Sequence, residues 1–116
     1  MEGKNNVFDF THISDVVIGL SRLIECTADG HDLDTVHLTT GIGTTLCALA
    51  EHAARHAFYP VTVQEYEPRS FDVSAFVGCT KLARQELGWN ARINLEDGFA
   101  NLVRTFADSP MERLGA

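Results

Sequence analysis

Several residue groups in this chain of 116 residues have side chains and spacings that could carry chemistry. Arg69 and Asp72 lie in Arg69-Ser70-Phe71-Asp72, an irregular stretch behind a strand-like run. A guanidinium in such a loop can grip a phosphate bidentately. It can equally pair with the nearby aspartate at the surface, and both readings stay open on chemistry alone. Gly41-Ile42-Gly43 follows a strand-like run and opens a helix, a setting in which backbone N–H groups bind anions. The third glycine of a dinucleotide fingerprint is missing and no Gly-Lys-Ser/Thr follows, so neither a dinucleotide motif nor a P-loop is present. Gly41 therefore reads as a structural turn, as part of a loop that touches a ligand held mainly elsewhere, or as a phosphate cradle acting alone. His52 and His56 are one helical turn apart, a geometry able to bind metal. The residues between them are Ala53, Ala54 and Arg55, without the glutamate of the zinc helix motif, and spacing marks no third ligand. A solvated helix face is expected there, and no metal site is assigned. His12 and His37 sit in aromatic or apolar stretches and are expected to be satisfied buried histidines. Asp9, His12 and Asp15 fall close together, but no Ser or Cys nucleophile stands at a triad spacing.

The elements that must position these residues alternate between strands and helices. Val7 to Ile13 is aromatic and β-branched, which predicts a strand or extended segment. Ser14 and Asp15 predict a helix start, with Val16, Val17, Leu20, Leu23 and Ile24 as its stripe and Ala28-Asp29-Gly30 as its stop. Thr35 to Thr39 is a predicted short strand with Val36 and Leu38 on one face. Thr44 or Thr45 caps a second helix reaching about Phe58, and Pro60 ends that run. Val61 to Tyr66 alternates as a strand does, and Phe76-Val77 predicts a brief pairing. Thr80 caps a helix ending near Leu87 at Gly88-Trp89. Asn94, with Asp97 three residues on, caps a last helix whose apolar face is Leu95, Phe99, Leu102, Val103 and Phe106. This order predicts an α/β fold with a small mixed or parallel sheet and about four helices, in one domain over 1–116 with residues 109–116 as a loose tail.

Composition narrows the function. The chain is 45% hydrophobic and 22% charged, ordinary globular material. Its net charge of −7 disfavours nucleic-acid or anionic-membrane partners, which call for a basic face. No apolar run reaches the roughly 20 residues of a membrane span. Cys26, Cys47 and Cys79 are odd in number and widely spaced, so buried free thiols are expected rather than a disulfide framework or a zinc site. Residues 1–6 have no apolar core of a signal peptide. A reduced cytoplasmic protein is the expectation.

Four pieces of the sequence, taken in order, resemble a known family. Asp9-Phe10-Thr11-His12-Ile13-Ser14-Asp15-Val16 is similar to a segment written R-D-F-x-H-V-x-D-V. Val36-His37-Leu38-Thr39-Thr40-Gly41 is similar to V-Y-N-L-G-T-G, and Arg69-Ser70-Phe71-Asp72-Val73 to R-P-G-D-V or R-P-F-D-V. Lys81 to Trp89, then Ile93-Asn94-Leu95-Glu96-Asp97-Gly98-Phe99, resembles K-A-x-x-E-L-G-W-x-P followed by S-L-E-E-G-L. Together they resemble the C-terminal, substrate-binding part of the NAD-dependent epimerase/dehydratase family. These are extended short-chain dehydrogenase/reductases that act on nucleotide sugars. The resemblance covers roughly residues 3 to 107.

The resemblance implies that Arg69 contacts the nucleotide diphosphate, with Gly41 and Asp72 beside the ligand and Asp72 bracing the loop. Trp89 and Phe99 are expected to pack the last two helices together. Three positions depart from the pattern: Phe8 replaces the arginine that clasps the diphosphate, His37 replaces an asparagine, and Ala91 replaces a proline. Family catalysis also needs a Gly-rich turn for NAD and a Tyr-x-x-x-Lys pair. Here Tyr59 and Tyr66 are followed at four residues by Val63 and Ser70. The chain is therefore expected to bind a nucleotide sugar without catalysing turnover or binding NAD by itself. The rival expectation is an interaction or assembly module that has lost the ligand. A homodimer, or a complementary chain carrying the Rossmann half, is the expected macromolecular partner.

Overall fold

The computed structural model describes residues 1–108. It is an α/β fold of four helices and a small two-stranded sheet. The expected loose tail at 109–116 lies outside the described residues. In chain order the elements are β1 (Val7–Phe8), α1 (Ile13–Ala28), β2 (Thr44–Thr45), α2 (Leu46–His56), α3 (Lys81–Leu87) and α4 (Leu95–Ala107).

The helix boundaries follow local chemistry. α1 is capped not by Ser14 but by His12, whose extended backbone lets its Nδ1 accept from the Ser14 N–H at 3.1 Å. Thr45 caps α2 through the Ala48 N–H at 3.0 Å, and Asn94 caps α4 through the Asp97 N–H at 2.8 Å. Glu96 and Asp97 in the first turn of α4 and Arg104 in its last complement the helix dipole. α3 stops at Gly88, whose φ of 60° is a left-handed conformation that glycine adopts at little cost. Among the described residues, no helix is long and apolar enough to cross a membrane.

The strands are shorter than the sequence predicts. β1 and β2 pair antiparallel, Val7 opposite Thr45 and Phe8 opposite Thr44. On the other side of β1 the Val7 N–H donates to the Ser74 carbonyl at 3.0 Å, and the Phe76 N–H donates to the Val7 carbonyl at 2.8 Å. Parallel pairing is thus confined to isolated bridges, Val7 with Ala75 and Glu2 with Tyr66. Thr35–Thr39 forms no strand: no ladder of backbone hydrogen bonds pairs it, and the Leu38 carbonyl instead accepts from the Thr11 hydroxyl at 3.2 Å. Its expected alternation survives, since both Val36 and Leu38 pack on the core. Val61–Tyr66 is likewise not a strand beyond the single bridge at Tyr66. The segment just before β1 reaches α2, whose first amides would otherwise lack partners: Leu46 and Cys47 donate to the Asn6 and Lys4 carbonyls at 3.0 and 2.9 Å.

The helices associate in two pairs, α1 with α3 and α2 with α4. The first pair encloses Trp89, which is 1% exposed, with Ala83 and Leu87 beside it and Leu23, Leu33, Val36 and Leu38 packed around. The indole N–H donates to the Asp15 carbonyl at 2.8 Å. Trp89 therefore locks α3 to α1 and does not join the last two helices; Phe99 serves the other pair, stacking on His52 and His56 of α2. Other sequence expectations also change. None of the thiols is fully buried, and Cys79 is exposed. His37 is exposed and tilts against Phe76.

Gly19 permits the close approach of α1 to the 36–38 segment. A Cβ there would stand 2.7 Å from Leu38 Cδ2 and 3.1 Å from the Trp89 indole nitrogen. Gly19→Ala is expected to destabilise the fold. The helix-propensity gain of at most about 1 kcal/mol is outweighed by forced displacement of Leu38 and Trp89, about 1–3 kcal/mol. Urea unfolding followed by Trp89 fluorescence measures the sign.

Candidate functional site

The Gly41 turn is built around a carboxylate of the chain itself. Asp9 Oδ1 accepts from the Thr40 N–H at 2.8 Å and the Thr40 hydroxyl at 2.6 Å. Its Oδ2 accepts from the Gly41 N–H at 2.8 Å and the Gly78 N–H at 3.3 Å. Partial burial pushes the Asp9 carboxyl up, but the Thr40 hydroxyl and the three amides outweigh it and hold the group below its ordinary value of 3.8. The amides that would cradle an external phosphate are thus turned on Asp9. Gly41 has φ 77°, and a Cβ there would approach Thr80 Cγ2 to 3.0 Å. Asp15 does similar work nearby. It is 3% exposed and its Oδ2 accepts from the Arg92 and Ile93 amides at 3.1 and 3.0 Å. With His12 serving as a helix cap, the Asp9–His12–Asp15 run is structural.

Arg69 and Asp72 are brought together, on a separate network from Gly41. The Arg69 Nε and Nη2 both lie 2.9 Å from Asp72 Oδ1, and the Arg69 N–H donates to Asp72 Oδ2 at 3.1 Å. The Nε also stands 3.0 Å from Glu2 Oε2, and the guanidinium lies over the Phe71 ring at 4.8 Å. The arginine side chain is nevertheless 57% exposed. Its hydrogen bond and charge pull the Asp72 carboxyl below the ordinary carboxylate value. The loop presents a guanidinium oriented by Asp72 and still largely exposed, with Glu2 as a second carboxylate on its Nε.

A trough of about 310 Å³ runs beside α4, lined by Phe10, Thr11, Leu49, Ile93, Phe99 and Leu102. A second hollow of about 220 Å³ adjoins it through Phe10, Ile93, Asn94 and Leu95 and reaches Thr40, Ile42 and Thr44. Neither is lined by Arg69, Gly41 or Asp72.

One constellation escaped the sequence reading. His52, His56 and Glu96 converge where α2 meets α4, with His52 Nδ1 2.8 Å from Glu96 Oε2 and His56 Nε2 2.9 Å from Oε1. The histidine side chains are 16% and 23% exposed, so they do not form a solvated helix face. The one-turn spacing was visible, but the carboxylate that completes it comes from another helix.

No model of a known protein family matches the sequence. A UDP-glucose 4-epimerase of Rhizobium meliloti is 29% identical over 89 residues, 77% of this chain and 27% of that protein. The UDP-glucose 4-epimerase of Thermotoga maritima, solved with UDP-glucose, superposes with a TM-score of 0.80 at 26% identity, over 90% of this chain and 32% of that one. The Bifidobacterium longum UDP-glucose 4-epimerase, solved with NAD+ and UDP, gives a TM-score of 0.75 at 25% identity, over 91% and 31%. The chain spans about a third or less of the length of these proteins. Both its motif order and its backbone course thus point the same way: this chain is similar, in sequence and in fold, to a segment of the NAD-dependent epimerase/dehydratase family.

Proposed function

We propose that the chain is the nucleotide-sugar-binding segment of a UDP-sugar epimerase-like protein, acting in the cytoplasm, with Arg69 as its main anion contact. The observation that carries this reading is the Arg69–Asp72 loop, a guanidinium fixed by a carboxylate and an aromatic ring yet open to solvent. Two structural relatives, solved with UDP-glucose and with UDP, support the ligand class. Asp72 positions the guanidinium, and the Gly41 turn shapes the neighbouring backbone rather than donating to phosphate, since its N–H is spent on Asp9. The residues present do not fit NAD. The Gly41-Ile42-Gly43 turn lacks a free row of amides for a pyrophosphate, and neither tyrosine has a lysine four residues on. No redox step is therefore assigned to this chain.

Calorimetry with UDP-glucose, and with NAD as control, tests the reading. Saturable UDP-glucose binding and no NAD binding are expected. Arg69→Ala should weaken UDP-glucose binding by roughly tenfold or more, as for loss of a charged hydrogen bond. Glu2→Gln should strengthen it, because it removes the carboxylate that competes for the same guanidinium. Unchanged affinity in a well-folded Arg69→Ala protein removes the assignment.

A second reading, a module that assembles with another chain, is favoured by the apolar surface. The radius of gyration is 17.0 Å, against about 13 Å for a compact chain of this length. The accessible area is 8359 Å², against about 6,300 Å² for a folded monomer of this mass. Ile13, Val17, Leu20 and Ile24 form an exposed stripe on the side of α1 turned away from Trp89. Self-association through such faces, as a homodimer, hides this surface at lowest cost in new contacts. Sedimentation equilibrium at tens of micromolar is expected to give a dimer. A clean monomer that binds a chain carrying a cofactor-binding half would replace self-association with that partner, and a monomer that binds neither would end this reading.

A further inference from the structure

We propose that His52 Nδ1, His56 Nε2 and the Glu96 carboxylate form a binding site for one divalent transition-metal ion, zinc foremost. The ligand atoms of all three residues lie within 4.8 Å of one another. The imidazoles are held in orientation. Both stack on Phe99, with ring centroids 6.3 and 6.4 Å away and interplanar angles of 25° and 23°, and both aim a nitrogen at the same carboxylate. Two neutral imidazoles and one carboxylate are a donor set suited to zinc, cobalt, nickel or copper, and unsuited to the all-oxygen preference of magnesium or calcium.

Metal–nitrogen and metal–oxygen bonds of about 2.0–2.2 Å at tetrahedral angles put ligand atoms about 3.3 Å apart. The present N···O separations of 2.8 and 2.9 Å are those of hydrogen bonds that the metal replaces: each nitrogen–oxygen pair opens by a few tenths of an ångström, and the three ligand atoms, now within 4.8 Å of one another, converge on one ion. Three protein ligands leave a fourth position for water. The competing cation is Arg55, whose Nη1 lies 3.5 Å from Glu96 Oε2 and whose Nη2 lies 3.3 Å from His52 Nδ1. Its side chain is more than half exposed and can swing into solvent when the metal enters. The site would also do structural work. α2 has no fully buried residue, and its attachment to α4 is where the three ligands meet. A metal would cross-link the two helices.

The test uses the full chain at neutral pH. Zinc titration by calorimetry is expected to show one ion per chain, with the melting temperature rising as zinc increases and returning with chelator. His52→Ala and His56→Ala, checked for retained helix by circular dichroism, should each weaken binding by more than about tenfold, and Glu96→Gln should weaken it too. Cobalt should give visible absorption without the near-ultraviolet thiolate band that Cys26, Cys47 or Cys79 would produce. Should a variant fail to fold, nickel broadening of the His52 and His56 ring signals in the unaltered chain reads the same ligands. The proposal is overturned by absence of saturable binding, by undiminished binding in folded variants, by a thiolate band, or by broadening centred on His12, His31 or His37.

Discussion

Two aspartates on the N-terminal segment hold the rest of the molecule in place. Asp9 gathers the Thr40, Gly41 and Gly78 amides, and Asp15 gathers the Arg92 and Ile93 amides while its carbonyl takes the Trp89 indole proton. These loops carry backbone groups that a larger sheet would otherwise satisfy. With only two residues per strand, ladder bonds cannot fix them, so carboxylates take over, each accepting several charge-assisted bonds. The segment 9–15 is a strut between β1 and α1 from which both halves of the chain hang. Because the Asp9 carboxyl is held below 3.8, its contribution is fully present above that pH and is lost as pH falls through the lower folded value.

The Asp9, Asp15, Trp89 and Gly98 positions of the resembling motifs all carry packing or hydrogen bonding here. Gly98 is tight against His12, where a Cβ would stand 3.1 Å from the imidazole Cδ2. Phe8, in contrast, stands where the family pattern has a charged residue, and it packs edge-on to Phe10 at 6.4 Å. An aromatic pair beside an apolar trough replaces a cation. Phe8 is held by its pairing with Thr44 and by this ring contact, whereas an exchange at Asp9 or Asp15 would strand several amides at once.

The helices were legible because their determinants are local. Thr45 and Asn94 cap where expected and Gly88 closes α3; of the apolar face expected for α4, Leu95, Phe99 and Val103 are partly buried while Leu102 and Phe106 are exposed. Strands were not legible to the same degree, because alternation states which side chains share a face and says nothing about whether a partner backbone runs alongside. Val36 and Leu38 obey the alternation and still form no ladder. The Arg69–Asp72 pairing was readable from three-residue spacing in a loop. The His52–His56–Glu96 cluster was only half readable, since Glu96 looked like an ordinary first-turn acid serving the helix dipole. Its partners are fixed by how α2 crosses α4, which no local pattern encodes. Burial raises the Glu96 carboxyl, but His56, Arg55 and His52 together bring it below its ordinary value.

α1 is apolar on two sides. One side bears Asp15, Gly19, Leu23 and Cys26 against Trp89, and the opposite side bears Ile13, Val17, Leu20 and Ile24 facing solvent. A helix that is apolar on both sides is the pattern of one covered on both sides. The −7 net charge bears on what can cover it. Copies of an acidic chain repel at long range, so association must draw on close apolar contact rather than on electrostatic steering. Added salt therefore screens the repulsion and favours self-association, while it weakens any anion held at Arg69. The proposed self-association and the proposed anion binding are expected to move in opposite directions with ionic strength, which tells the two proposals apart.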